Sequence, residues 1–127
     1  MKRIATTEAP KAVGPYVQAV AARGAFLYIS GQLPIDPKTN EMVSQDIYEQ
    51  TEQSLKNVGA ILKEADLSFE NLVKTTIYVT DMDCFDGINK IYASFFQEGA
   101  IPARAVVEVS KLPKGAKVEI EAVANWA

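Results

Sequence analysis

Lys117-Val118-Glu119-Ile120-Glu121-Ala122-Val123-Ala124-Asn125 alternates in character along most of its length. Side chains on a β-strand point to opposite faces in turn, so Val118, Ile120, Ala122 and Ala124 share one side, and Glu119, Glu121 and Val123 share the other. Such a strand belongs to a sheet with one covered face and one free face. Just upstream, Arg104 to Ser110 reads as another strand. Its alternation places Ala105, Val107 and Val109 on one face, and Arg104, Val106 and Glu108 on the other. Leu112-Pro113-Lys114-Gly115 turns between the two.

Further back, Leu72 to Thr80 is β-branched and predicts a strand. Ile47, Thr51, Leu55, Val58, Leu62 and Ala65 recur at intervals of three and four, which predicts a helix from about Asp46 to Ala65, capped by Ser44 or Asp46. Asp81 or Asp83 opens a second helix with the stripe Phe85, Ile88, Tyr92 and Phe95, ended by Gly99 and Pro102. Val17 to Ala22 and Phe26 to Ser30 read as strands, with Arg23-Gly24 closing a β-hairpin between them. Leu33 to Asn40 is a loop carrying two prolines, and a short first strand lies near Arg3 to Thr6. The order predicts a single domain over residues 1–127. Its class is α/β (α+β) with two layers: a mixed sheet of about five or six strands, two helices on one face, and right-handed crossovers.

Composition excludes several chemistries. The 127 residues include no histidine and one cysteine, Cys84. A Ser-His-Asp or Cys-His site cannot be assembled, nor a zinc site of the usual His and Cys type. Proton transfer falls to carboxylates, tyrosines, lysines, backbone or water. The net charge of −3 and the absence of a basic run disfavour nucleic acid as a partner. No apolar run is long enough to cross a bilayer, and the basic start, Met1-Lys2-Arg3, has no apolar segment behind it; a cytoplasmic address is expected. The lone cysteine fits a reducing compartment.

On these assignments the face away from the helices holds Arg104, Glu108, Glu119 and Glu121, with Lys74 and Tyr78 from the middle strand. Val106, Val123 and Tyr28 or Ile29 add apolar area to it. A face of mixed character suits further copies of the same chain. On its own it equally suits a solvated surface with ion pairs from Arg104 to Glu108 or Glu119, and from Glu119 to Lys74 or Lys117.

Four ordered segments carry a resemblance: Gly14-Pro15-Tyr16, Ile29-Ser30-Gly31-Gln32, Ile101-Pro102-Ala103-Arg104-Ala105-Val106-Val107-Glu108-Val109 and Val118-Glu119-Ile120-Glu121-Ala122. Together they resemble the RidA/YjgF family of reactive-intermediate deaminases, in one register from about Ile4 to Ala124. The resemblance implies a chorismate-mutase-like two-layer fold, a homotrimer with clefts between subunits, and no cofactor. It implies hydrolysis of short 2-imino acids, derived from 2-aminoacrylate and 2-aminocrotonate, to 2-oxo acids and ammonia. By the same resemblance Arg104 is the carboxylate anchor and Glu119 the acid that handles water, with Glu121 its rival on the same face. Tyr16, Ser30, Gly31, Asn89 and Val106 line the substrate. Val106 stands where many members carry a cysteine, so only its backbone is left to contact substrate. Arginine suits the anchor because its planar fork grips a carboxylate through two parallel hydrogen bonds. Two other readings use the same residues: a trimer that binds 2-oxo acids without turnover, and an endoribonuclease or translation inhibitor.

Overall fold

The computed structural model describes residues 1–126. Eight strands and two helices follow one another: β1 (Lys2–Ile4), β2 (Ala19–Ala21), β3 (Phe26–Gln32), β4 (Ile35–Asp36), β5 (Glu41–Met42), α1 (Ile47–Glu64), β6 (Leu72–Val79), α2 (Phe85–Ala93), β7 (Ala103–Glu108) and β8 (Val118–Asn125). The main sheet has the order β3-β8-β6-β7, mixed in sense, with β6 and β7 parallel across α2 and the other neighbours antiparallel. β1 pairs with β2, and a parallel bridge from Val17 to Ala103 sets that pair beside the β7 edge. Counted through this bridge, six strands lie side by side. β4 and β5 form a separate small ladder inside the segment expected as a loop, and the Asn57 amide of α1 donates to Leu33 O and Ile35 O at 3.0 Å each.

Both helices form, but α2 ends at Ala93, short of Phe95 and of the expected stop at Gly99 and Pro102. Asp46 caps α1 by accepting from Glu49 N at 3.1 Å, and the α1 stripe Ile47, Thr51, Leu55, Val58 and Leu62 is buried. Asp81 caps a short 3₁₀ turn, Met82–Cys84, that runs straight into α2. Ile88 and Tyr92 of α2 are fully buried, and with Leu72, Ile77, Val79, Val118 and Ile120 they fill the layer between helices and sheet. At the chain's end the indole Nε1 of Trp126 donates to Ala65 O, just beyond α1, at 3.3 Å.

Two expectations are corrected. The hairpin across Arg23-Gly24 does not form: β2 pairs with β1, and β3 pairs with β8 at the far edge of the sheet. The Asn125 side-chain amide donates to Arg23 O at 2.7 Å and Ala25 O at 3.1 Å, which fastens the link to the end of β8 instead. The faces of β7 are also reversed. Its register sets Arg104 beside Thr75 and Val106 beside Ile77. Paired residues share a face, and Thr75 and Ile77 point into the core. Arg104, Val106 and Glu108 therefore lie on the helix side, while Ala105 and Val107 lie on the open side with Tyr78. β8 follows its expected alternation: Val118, Ile120, Ala122 and Ala124 are buried, and Glu119, Glu121 and Val123 face outward. Ile29 joins the core, and Tyr28, 76% exposed, stands on the open face.

Candidate functional site

The expected site residues fall into two groups on opposite faces of the sheet. The first surrounds Arg104. Its guanidinium carbon lies 4.8 Å from the centre of the Tyr92 ring, 5.6 Å from Tyr16 and 5.8 Å from Phe85. These distances are within the range over which a cation is attracted to an aromatic face. Nε and Nη1 are buried with no hydrogen-bond partner. Among the described residues the one ion pair joins Lys56 to Glu52 on α1, so no carboxylate neutralises Arg104. Glu108, on the same face, instead accepts from Met82 N at 2.9 Å. Burial lowers the Arg104 pKa, opposed by Tyr92 and Tyr16, yet a guanidinium stays charged at neutral pH.

The backbone around this recess is shaped for close approach. Gly14 lies against it: a Cβ there would be 2.9 Å from Arg104 Nη2 and 3.2 Å from Asn89 Nδ2. Asn89, on α2, has its Oδ1 buried without a partner. Tyr16 is held by Val13 N, which donates to its hydroxyl at 3.1 Å, and the next residue ties to β7 through Val17 N to Pro102 O at 3.1 Å. Tyr16, Asn89 and Arg104 thus come together. Val106 lies on the same face, two residues along β7, its side chain packed against the core.

The second group is on the open face. Opposite β8, β3 shifts register between Ile29 and Gln32, so Ser30 and Gly31 form a bulge. The bulge presses Gly31 against Glu119, and a Cβ at Gly31 would overlap the carboxylate. Only glycine leaves Glu119 its place. Glu119 is paired in register with Tyr78, whose hydroxyl donates to Glu121. That hydrogen bond is the main reason the Tyr78 pKa is raised. Glu121 is therefore engaged, and Glu119 accepts no hydrogen bond from within the described residues. Ser30 is exposed beside it. Neither expected ion pair of Glu119 forms; Lys117 Nζ donates to Gln45 O instead.

The first group offers unmet donors for a small anion, and the second a carboxylate seated against a glycine and engaged by no other described residue. The sequence reading passed over Phe85 and Tyr92 as site residues, because their spacing on α2 is that of core positions. The family profile described as Endoribonuclease L-PSP matches residues 6–126. The chain belongs to that family, as does RidA/YjgF. A relative from Mus musculus named 2-iminobutanoate/2-iminopropanoate deaminase is 49% identical over 123 residues, covering 97% of this chain and 90% of its own. The crystal structure of the YjgF gene product from E. coli matches with a TM-score of 0.76 and 47% identity, covering all of both chains. That of E. coli TdcF with bound serine matches with a TM-score of 0.76 and 43% identity, again over all of both chains. The Endoribonuclease L-PSP fold is thus shared over the whole length. Among the described residues no helix is long and apolar enough to cross a membrane.

Proposed function

We propose that this chain is a deaminase that hydrolyses short reactive 2-imino acids to 2-oxo acids and ammonia. The observation that carries this reading is Arg104, a half-buried guanidinium with two buried, unpartnered nitrogens and no ion pair to an acid among the described residues. A desolvated cation of this kind gains most from a small carboxylate that completes its hydrogen bonds. Asn89 and Tyr16 border the same recess. Hydrolysis also needs water positioned at the C=N carbon, and Glu119 is the unengaged acid. The deaminase name of the mouse relative supports the reaction, and the serine-bound relative supports an amino-acid-sized ligand. Both remain similarities. The family description also names an endoribonuclease, but the absence of histidine and the net charge of −3 argue against RNA cleavage here.

Arg104 and Glu119 leave opposite faces of the sheet, two strands apart. One small substrate cannot touch both within one copy. The reading therefore places the site between copies, Arg104 from one and Glu119 from its neighbour, in a homotrimer. The open face offers the surface for this: Tyr28, Val107 and Val123 beside Glu119 and Lys74. Arg104→Ala and Glu119→Gln chains, each inactive alone, should regain activity when refolded as a mixture, with about a quarter of the sites intact for random assembly. Light scattering should give a trimer mass. A monomer with full turnover, or no recovery on mixing, rules out the shared site. Soaking crystals with 2-oxobutanoate should place its carboxylate on Arg104. Tight 2-oxo-acid binding without acceleration of imine loss would make the chain a sensor instead.

Gly14 gives a further prediction. Gly14→Ala should weaken 2-oxobutanoate binding roughly three- to tenfold in a calorimetric titration, because the new methyl displaces Arg104 Nη2 and Asn89 Nδ2 together. Unchanged affinity would show that the guanidinium does not depend on this close approach.

A further inference from the structure

Arg104 is set in place without the usual means of fixing an arginine. Its Nε and Nη1 have no hydrogen-bond partner, and no acid of the described residues pairs with it. What it does have is a ring beneath it. Tyr92 is the nearest of its three aromatic neighbours, at 4.8 Å, and is fully buried on α2. The ring is itself fixed. Its hydroxyl is 2.7 Å from Thr75 Oγ1, and Thr75, on β6, is also buried and sits beside Arg104 in the strand register. Phe96 packs on the ring with centroids 4.8 Å apart. Burial pushes the Tyr92 phenol up to about 12, so it is neutral at physiological pH. The ring face is the electron-rich part of Tyr92 that meets the cation.

We propose that Tyr92 is a positioning residue for Arg104: its ring face, locked by the Thr75 hydroxyl and by Phe96, holds the guanidinium in place without pairing it, so that its fork is not taken up by an acid of the chain. An acid in the same place would hold the arginine equally well but would occupy the fork. An aromatic face attracts the cation through its quadrupole and takes up none of its N–H groups. The inference rests on the reading of Arg104 as a carboxylate anchor. It assigns the holding of the anchor to a side chain that does not touch substrate.

The experiment compares Tyr92→Phe, Tyr92→Leu and the double variant Tyr92→Phe with Thr75→Val. The probes are 2-oxobutanoate for affinity and freshly generated 2-aminoacrylate for turnover. Tyr92→Leu should raise both Kd and KM by about tenfold while kcat stays within about threefold, since the ring acts on binding rather than on the water. The double variant keeps the ring and removes both hydroxyls, and should bind within about threefold of wild type. Loss of affinity in the double variant equal to that in Tyr92→Leu would overturn the proposal, because the hydroxyl pair would then be the part that matters. Equal affinity in all variants would overturn it too. The NMR signal of the Arg104 Nε–H supplies an independent readout that needs no ligand. It should be shifted upfield by the ring in wild type and in the Phe variants, and an unshifted signal in wild type overturns the proposal even if Tyr92→Leu fails to fold. Should wild type bind no 2-oxobutanoate while this shift is present, the deaminase reading fails and the positioning role stands.

Discussion

Arg104→Lys should lose about ten- to a hundredfold in kcat/KM on generated 2-aminoacrylate, although the charge is kept. Lysine presents a single ammonium where arginine presents a planar fork. In the recess that difference is enlarged. The guanidinium lies among three aromatic rings, with two of its nitrogens turned away from water. An ammonium on a flexible stem cannot reproduce two parallel hydrogen bonds to a carboxylate, nor spread its charge over a ring in the same way. Losing one charge-assisted hydrogen bond is worth roughly 1.5–3 kcal/mol, which gives the stated range. The measurement is a stopped-flow assay fast enough to outrun spontaneous imine hydrolysis, with affinity for 2-oxobutanoate alongside. Wild-type values in the lysine variant would remove Arg104 as the anchor.

Glu119→Gln should reduce turnover by roughly 10²–10⁴-fold, the usual range for a positioned acid–base group, and leave 2-oxobutanoate affinity near that of wild type. Glutamine keeps the size of glutamate but cannot exchange the proton. Glu121→Gln is the matched control, since both residues leave β8 on the open face. Its amide oxygen can still accept from the Tyr78 hydroxyl, so both turnover and affinity should stay close to wild type. Gly31→Ala should act like Glu119→Gln in milder form, because the methyl displaces the carboxylate from the bulge. If Glu121→Gln stops turnover and Glu119→Gln does not, the roles of the two acids are exchanged. If neither matters, water is activated by backbone or solvent and the sensor reading gains.

Much of this was legible in the chain. The helix α1 and the strands β6 and β8 lie where the sequence pattern placed them, and α2 starts there but stops at Ala93, because each has one covered face and a pattern that records it. β8 is the clearest case: it sits between two strands with a helix layer on one side only. β7 misled because it ends the four-stranded main sheet and its helix side is finished by Tyr92, Tyr16 and Phe85 around a charge. Alternation assigns an arginine to the open side unless the partner that stabilises it is known, and those partners come from distant parts of the chain. The missing hairpin has a similar cause. Arg23-Gly24 is a sound local turn signal, yet Asn125, about a hundred residues later, takes the carbonyls that flank it. The family segments singled out Arg104 and Glu119, but could not tell that they lie on opposite faces. That follows only from register.

Trp126 is the only tryptophan of the chain and is 45% exposed. It stands beyond the end of β8 that carries Asn125, tethered to Ala65 O, with most of β8 between it and Glu119. Its emission is therefore an optical gauge of whether the end of β8 is docked on the end of α1. The three rings around Arg104 are tyrosines and a phenylalanine, so the recess contains no indole of its own. A red shift of the tryptophan band signals loss of tertiary structure, while occupancy of the recess is spectroscopically quiet at that wavelength.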